Sequence, residues 1–303
     1  MQRTVFNGGL SSSDPVECPV MILGQHHHLA MVDWENIKVK LEPRVSRETW
    51  SAGVSSLSPT PTDISLYMNL ATVAALPVKV SRHNTQSRSH SITKLVKSLT
   101  CGGREAVVVV CRQEDLYASG CAVARAYSLY NKKTAGDQPN VQARQVRDTT
   151  VTVEFLVVDT NTETVRPSNL SPEDITVLES SSEAIQLTAR LVDTPCNEMN
   201  TDHFVEEAKQ VASKLGIVPT IIRGEELRER GFGGIYGVGK AAANPPALVV
   251  LSHKPPDSNR SIAWVGKGIV YDTGGLSIKV EEGMGVMLSV DHPYFRARLA
   301  CRA

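Results

Sequence analysis

The stretch AVVVVC, residues 106–111, decides the fold class. Four consecutive valines between alanine and cysteine show no alternation with polar residues. The strand they predict therefore has no face meant for water, as in sheets covered by helices on both sides. Downstream, residues 115–127 read as a helix with small residues along one side. A polar segment rich in Lys, Gln and Arg follows at residues 131–148, and VTVEFLVV, residues 151–158, reads as a second strong strand. Strand, helix and strand in succession predict an α/β layer.

The chain then changes character. Residues 160–182 are poor in aromatics and rich in Ser, Thr, Glu and Pro, the composition of a linker with at most a short helical turn. Residues 184–192 suit a helix that stops before Pro195, because the residue ahead of a proline disfavours the α region. Thr201 and Asp202 cap a further helix whose Phe204, Ala208, Val211, Ala212 and Leu215 share one face. Glu206 and Glu207 lie toward its positive end, and Gly216 terminates it. Strands are expected at residues 217–222, 247–251 and 262–265. The expected organisation is an N-terminal α/β domain over residues 1–160 and a linker over 161–182. A second, mixed-sheet α/β domain begins at 183–279, followed by a divergent tail at 280–303.

Composition narrows the functional classes. The 303 residues are 41% hydrophobic, enough for two domains. Lys+Arg and Asp+Glu stand at 32 each, so no global charge draws the chain to nucleic acid or anionic lipid. The cysteines, Cys18, Cys101, Cys111, Cys121, Cys196 and Cys301, include no Cys-x-x-Cys pair and read as reduced thiols. No stretch approaches the ~20 apolar residues of a membrane helix, and the run at residues 20–24 is too short for a signal peptide. These features together predict a soluble cytoplasmic protein without nucleic-acid or membrane partners.

Three motifs have plain alternatives. GIYGVGKA, residues 234–241, nearly fits a phosphate-binding loop, but Ala241 replaces the magnesium-binding hydroxyl and Asn244-Pro245-Pro246 blocks the required helix. A tight glycine-rich turn packed against other backbone is the better account. Asp272-Thr273-Gly274 matches the aspartic-protease tripeptide, yet that chemistry needs two carboxylates and the motif occurs once. His26, His27 and His28 are consecutive, so they do not converge on one ion, and a solvated loop is expected. The basic cluster at residues 82–88 is likewise expected to be a solvated loop.

VGKGIVYDTGGLSIK, residues 265–279, sets lysines and an aspartate among glycines that let the backbone approach a ligand, at the end of a predicted strand. It closely resembles the first metal-binding signature of the leucine aminopeptidase family, cytosolic two-metal exopeptidases. LVDTPCNEMNTDHF (residues 191–204) and GFGGIYGVGKAAANPPALVVLSH (231–253) resemble that family's preceding blocks. ATVAALPVKVSRHN (71–84) and TVTVEF (150–155) resemble one of its branches more weakly. The resemblance implies an incomplete metallopeptidase domain after the N-terminal one, peptide substrates, and a homo-oligomer, hexameric in the family. It implies two divalent metals, zinc or manganese with magnesium or cobalt as alternatives, and roles for three residues. Lys267 would bind a metal through its amine, Asp272 would be shared between the two metals, and Lys279 would stay charged and polarise the substrate oxygen. The chemistry is coherent. A lysine of ordinary pKa near ~10.4 cannot coordinate while protonated, but adjacent dications disfavour the ammonium form. A second lysine aimed past the ions stabilises developing negative charge, while the metals activate a bridging water.

The agreement ends near Met287. The family's Asn-Thr-Asp-Ala-Glu-Gly-Arg block does not occur in this sequence, Val290 stands where an aspartate is expected, and Asp291 is one residue late, about 100° away on a helix. The residues HPYFRARLACRA, 292–303, resemble nothing in the family. A truncated member is expected, without peptidase activity of its own and with poor solubility of its second half. The competing readings are a non-catalytic relative acting as an oligomerisation or interaction subunit, and a nucleotide binder resting on residues 234–241.

Overall fold

The computed structural model describes residues 2–80, 85–127, 129–130, 149–256 and 258–272. Residues to Leu187 form one unit and those from Thr188 a second.

The first unit is built on a seven-stranded mixed sheet. Its strands are β1 (Gln2–Phe6), β2 (Val20–Gln25), β3 (Thr62–Tyr67), β4 (Ala71–Leu76), β5 (Glu105–Cys111), β6 (Thr149–Asp159) and β7 (Thr164–Pro167). Their order is β1-β6-β5-β2-β4-β3, with β7 paired to β6. The first five of that order run parallel, while β3 and β7 are antiparallel to their neighbours. The valine run lies in β5, between β2 and β6, and every residue of β5 is buried. Successive side chains point to opposite faces. Val107, Val109 and Cys111 enter one core with Met21, Leu23, Val153 and Phe155, while Ala106, Val108 and Val110 enter the other with Val20, Ile22 and Leu156.

Helices cover both faces. Ile37 and Leu41 of α2 (Trp34–Leu41) and Trp50 and Val54 of α3 (Arg47–Ser56) fill one core. Ile92 and Val96 of α4 (Ser89–Leu99), Ala122 and Val123 of α5 (Leu116–Ala126), and Leu178 of α6 (Pro172–Asp193) fill the other. Close packing explains Gly24 of β2. A Cβ there would come within 2.8 Å of the Val110 carbonyl oxygen and 2.9 Å of its Cβ.

Two expectations in this unit are corrected. Residues 161–182, read as a linker, hold β7 and the first half of α6. Pro172 begins that helix, and the Ser171 hydroxyl accepts from the Asp174 N–H at 3.1 Å while the Asp174 carboxylate accepts from the Ser171 N–H at 3.1 Å. This is a reciprocal cap. The buried face carries Leu178, Ser182, Gln186 and Ala189 at helical spacing, and its polar members hide the apolar periodicity. The histidine stretch is a helical turn, α1 (His26–Leu29), and His28 is only 3% exposed. The basic cluster at 82–88 lies partly, and the polar segment 131–148 wholly, outside the described residues.

The second unit contains α7 (Thr201–Lys214), α8 (Glu225–Glu229), α9 (Gly233–Gly239) and an antiparallel pair, β8 (Thr220–Arg223) with β9 (Ala247–Val250). Gly216 ends α7 with φ of 64°, in the left-handed region that favours glycine. The strand expected at 217–222 starts only at Thr220, because Pro219 has no N–H for a ladder. The glycine-rich stretch at 234–241, expected as a turn, lies largely in α9, where added side chains at Gly234 and Gly237 would meet open space. At Gly239 a Cβ would fall 2.4 Å from that of Pro246, so this glycine does serve close packing. Residues 262–265 pair with no strand among the described residues.

Candidate functional site

In the second unit, side chains join two of the sequence blocks singled out above. Asn200 caps α7: its Oδ1 accepts from the Asp202 and His203 N–H groups at 2.9 and 3.2 Å, and His203 Nδ1 accepts from the Asn200 N–H at 3.4 Å. The cap thus lies one residue earlier than expected. This frees Asp202 to receive Arg223 Nη2 from β8 and Asn244 Nδ2, the latter at 2.8 Å. The bonds from Asn244 and then Arg223 hold the Asp202 carboxyl below its ordinary range. One carboxylate therefore ties the start of α7 to β8 and to the loop entering β9.

The stretch bearing the expected ligands follows β9. Residues 258–272 form neither helix nor strand. Lys267 is exposed and Asp272 is half-buried, five positions apart in the chain. The Lys267 carbonyl accepts from the Ile269 N–H at 3.1 Å, which turns the chain between them. Lys279 lies outside the described residues, as do Thr273 and Gly274 of the protease-like tripeptide. An amine and a carboxylate are suitable donor types for a divalent ion. Two side chains are nevertheless too few for two ions, and no group of three or more His, Cys, Asp or Glu able to hold a metal occurs among the described residues. The described donor set therefore does not fit the metal pair by itself, and no reaction step follows from it.

The first unit holds polar features that sequence reading missed. Lys40 of α2 and Glu154 of β6 are 1% and 0% exposed, and Lys40 Nζ lies 2.5 Å from Glu154 Oε2. Glu154 Oε1 accepts from Asn7 Nδ2 at 2.8 Å, from the Ser11 hydroxyl at 2.6 Å and from the Ser11 N–H at 3.0 Å. Lys40 also donates to the Ser11 hydroxyl at 3.0 Å. The network links a helix, a central strand and the β1–β2 loop. A visible signal was the glutamate interrupting VTVEFLVV, although its partner is distant in sequence.

His28 lies at the carboxyl end of β2. Burial, then His27 and Arg112, push its pKa down to about 4, against a smaller opposing effect of Asp115. The ring is therefore neutral near pH 7. Arg112, just after β5, donates through Nε to Asp115 at 3.0 Å. The chain after β2 leads toward β4 and the chain after β5 toward β6 on the opposite side, making this edge a topological switch.

The chain thus consists of a mixed-sheet unit followed by one of helices and a strand pair, and comparison with known proteins identifies its class. Residues 18–136 match M17 aminopeptidase N-terminal domain 2, and residues 186–290 match the catalytic domain of the cytosol aminopeptidase family. The chain belongs to this M17 leucine aminopeptidase family. It is 52% identical over 276 residues to the probable aminopeptidase NPEPL1 of Homo sapiens, covering 90% of this chain and 51% of that protein. It is 39% identical over 289 residues to leucine aminopeptidase 1 of Caenorhabditis elegans, covering 94% and 55%. The solved structure of the latter aligns with a TM-score of 0.76 at 33% identity, over 94% of this chain and 55% of that one. A leucyl aminopeptidase from Leishmania major in complex with actinonin aligns at 0.72 and 28% identity, over 98% and 57%. The chain thus spans about half the length of the curated relatives it matches. The α/β architecture agrees with these structures, and the family is one of metal-dependent aminopeptidases. No helix among the described residues is long and apolar enough to cross a membrane.

Proposed function

We propose that this chain carries the N-terminal domain and the first part of the catalytic domain of a cytoplasmic aminopeptidase. The whole protein would remove N-terminal residues from peptides through a two-metal site, with zinc or manganese as the expected ions and magnesium or cobalt as alternatives. The catalytic portion runs from 183 to 279. Residues 280–303 form the divergent tail. In this reading Lys267 and Asp272 are metal ligands and Lys279 is a catalytic group that keeps its charge and polarises the scissile carbonyl. The protein works as a homo-oligomer, in keeping with the hexamers implied by the family resemblance.

The observation that carries this reading is the catalytic-domain match over residues 186–290, which contains all three residues in order. Among the described residues Lys267 and Asp272 fall short of a donor set for two ions, and in this reading the 303-residue chain is inactive alone. The test is hydrolysis of leucine anilide with added manganese. A chain completed with the remaining catalytic region hydrolyses it, and Lys279→Ala lowers kcat by at least a hundredfold. Measurable turnover by the purified 303-residue chain refutes its inactivity, and an inactive completed protein refutes the peptidase reading.

A further inference from the structure

The amino ends of the parallel strands β2, β4 and β5 meet at the edge of the sheet opposite His28. They enclose a cavity of about 10 Å³ that is lined in part by Asn69, Thr72, Leu99, Cys101 and Glu105. That is room for about one water-sized sphere. Glu105, the first residue of β5, is only 3% exposed. Its Oε1 accepts from the Thr100 hydroxyl at 2.5 Å and its Oε2 from the Cys101 N–H at 3.1 Å. Both donors are neutral. Glu154, also buried in this sheet, has Lys40 against it, whereas no lysine, arginine or histidine among the described residues forms an ion pair with Glu105. A buried carboxylate without a counter-charge carries its desolvation penalty uncompensated.

The neighbouring groups register that charge. Burial and then Glu105 push the Cys101 thiol up. The same two causes, in the same order, raise the pKa of Tyr127, whose hydroxyl is buried and has no hydrogen-bond partner. The cavity wall also supplies neutral oxygens. Thr72, 6% exposed, brings a hydroxyl. The Asn69 and Leu99 carbonyls accept from the Cys101 thiol at 3.5 and 3.8 Å, weak bonds that leave lone pairs available. One carboxylate among neutral oxygens suits a singly charged ion, since carbonyl oxygens can replace the hydration shell of potassium. Magnesium, by contrast, demands octahedral geometry and keeps several of its waters. No group of three or more His, Cys, Asp or Glu able to hold a metal occurs here among the described residues.

We propose that this cavity is a monovalent-cation site, occupied by potassium with the Glu105 carboxylate as its charged ligand. The site lies in the first unit and is independent of the peptidase reading. The test is equilibrium dialysis of the full 303-residue chain against rubidium-86, a potassium congener, in choline chloride. One rubidium ion per chain is retained, and potassium displaces it at a concentration roughly tenfold below that needed of sodium or magnesium. Glu105→Gln and Thr72→Val each weaken retention roughly tenfold or more, because each removes one of the few ligands of a small site. Asp63→Asn, at an exposed acid on β3, leaves retention unchanged. Slow native labelling of buried Cys111 shows that each variant keeps its fold. The proposal is overturned if no rubidium is retained, the cavity then holding water only, or if magnesium displaces it as readily as potassium does. It is equally overturned by undiminished retention in both folded cavity variants, or by an equal loss in Asp63→Asn, which marks general surface charge.

Discussion

Replacing Lys40 by Met leaves the Glu154 carboxylate buried without its cation. Glu154 has no exposed surface, and its remaining donors are Asn7 and Ser11. Removing one partner of a buried ion pair costs about 3–5 kcal/mol, because the surviving charge keeps its desolvation penalty. Glu154→Gln, which strands the ammonium instead, is expected to cost a similar amount. The double variant Lys40→Met/Glu154→Gln removes both charges, and the amide oxygen still accepts from Asn7 and Ser11. One amide donor is left to find a partner, at about 1–3 kcal/mol. The double variant should therefore lie several kcal/mol above the sum of the single losses. Urea unfolding followed by tryptophan fluorescence reads this unit directly, since Trp50 is buried and its indole N–H donates to the Val32 carbonyl at 3.3 Å. With a slope of about 2 kcal/mol/M, either single substitution lowers the midpoint by about 1.5–2.5 M, and the double variant recovers much of it. A loss below about 1 kcal/mol for Lys40→Met, or additive losses in the double variant, would refute the claim that these groups form a coupled buried pair.

Acid should weaken the same unit through His28. Its folded pKa of about 4 lies below the ordinary 6.5, so between these values the unfolded chain binds the extra proton. This contribution is complete above pH 6.5 and falls by about 3 kcal/mol on descent to pH 4, where the loss levels off. In His28→Gln the corresponding slope in a urea-midpoint series against pH disappears; an unchanged slope assigns it to other groups. Gly24→Ala drives a methyl group into the Val110 backbone and should cost about 1–3 kcal/mol, read as a lower thermal midpoint. Native thiol labelling should reach exposed Cys101 well before Cys111, whose burial raises its pKa to about 12, with Cys111 reacting only after denaturation. Equal native rates at the two cysteines, followed by mass spectrometry, would contradict the burial of Cys111.

What the sequence disclosed depended on whether a feature is written locally. Four valines in six residues announce a doubly covered strand, because burial on both faces imposes one composition on every position. The first half of α6 escaped notice because Ser182 occupies a buried position where the helical pattern calls for an apolar residue, as Gln186 does in the second half. The Gln186 amide, for example, donates to Thr4 Oγ1 at 3.2 Å and to the Ala124 carbonyl at 3.3 Å, so its polarity is satisfied by segments far away in the chain. Glu154 presents the same difficulty: its charge is visible, but the cation that makes burial tolerable lies 114 positions earlier. At residues 262–265 apolarity suggested a strand that pairs with none among the described residues, since a strand is completed by the backbone it pairs with. The expected metal ligands extend this argument from folding to chemistry. Lys267 and Asp272 were recognised by the order of their neighbours, whereas a metal site is defined by donors converging from several segments. Their five-residue separation establishes order along the chain; coordination requires additional donors to meet them in space, which is why substitution at position 267 alone is a weaker test than reconstituting the surrounding catalytic domain.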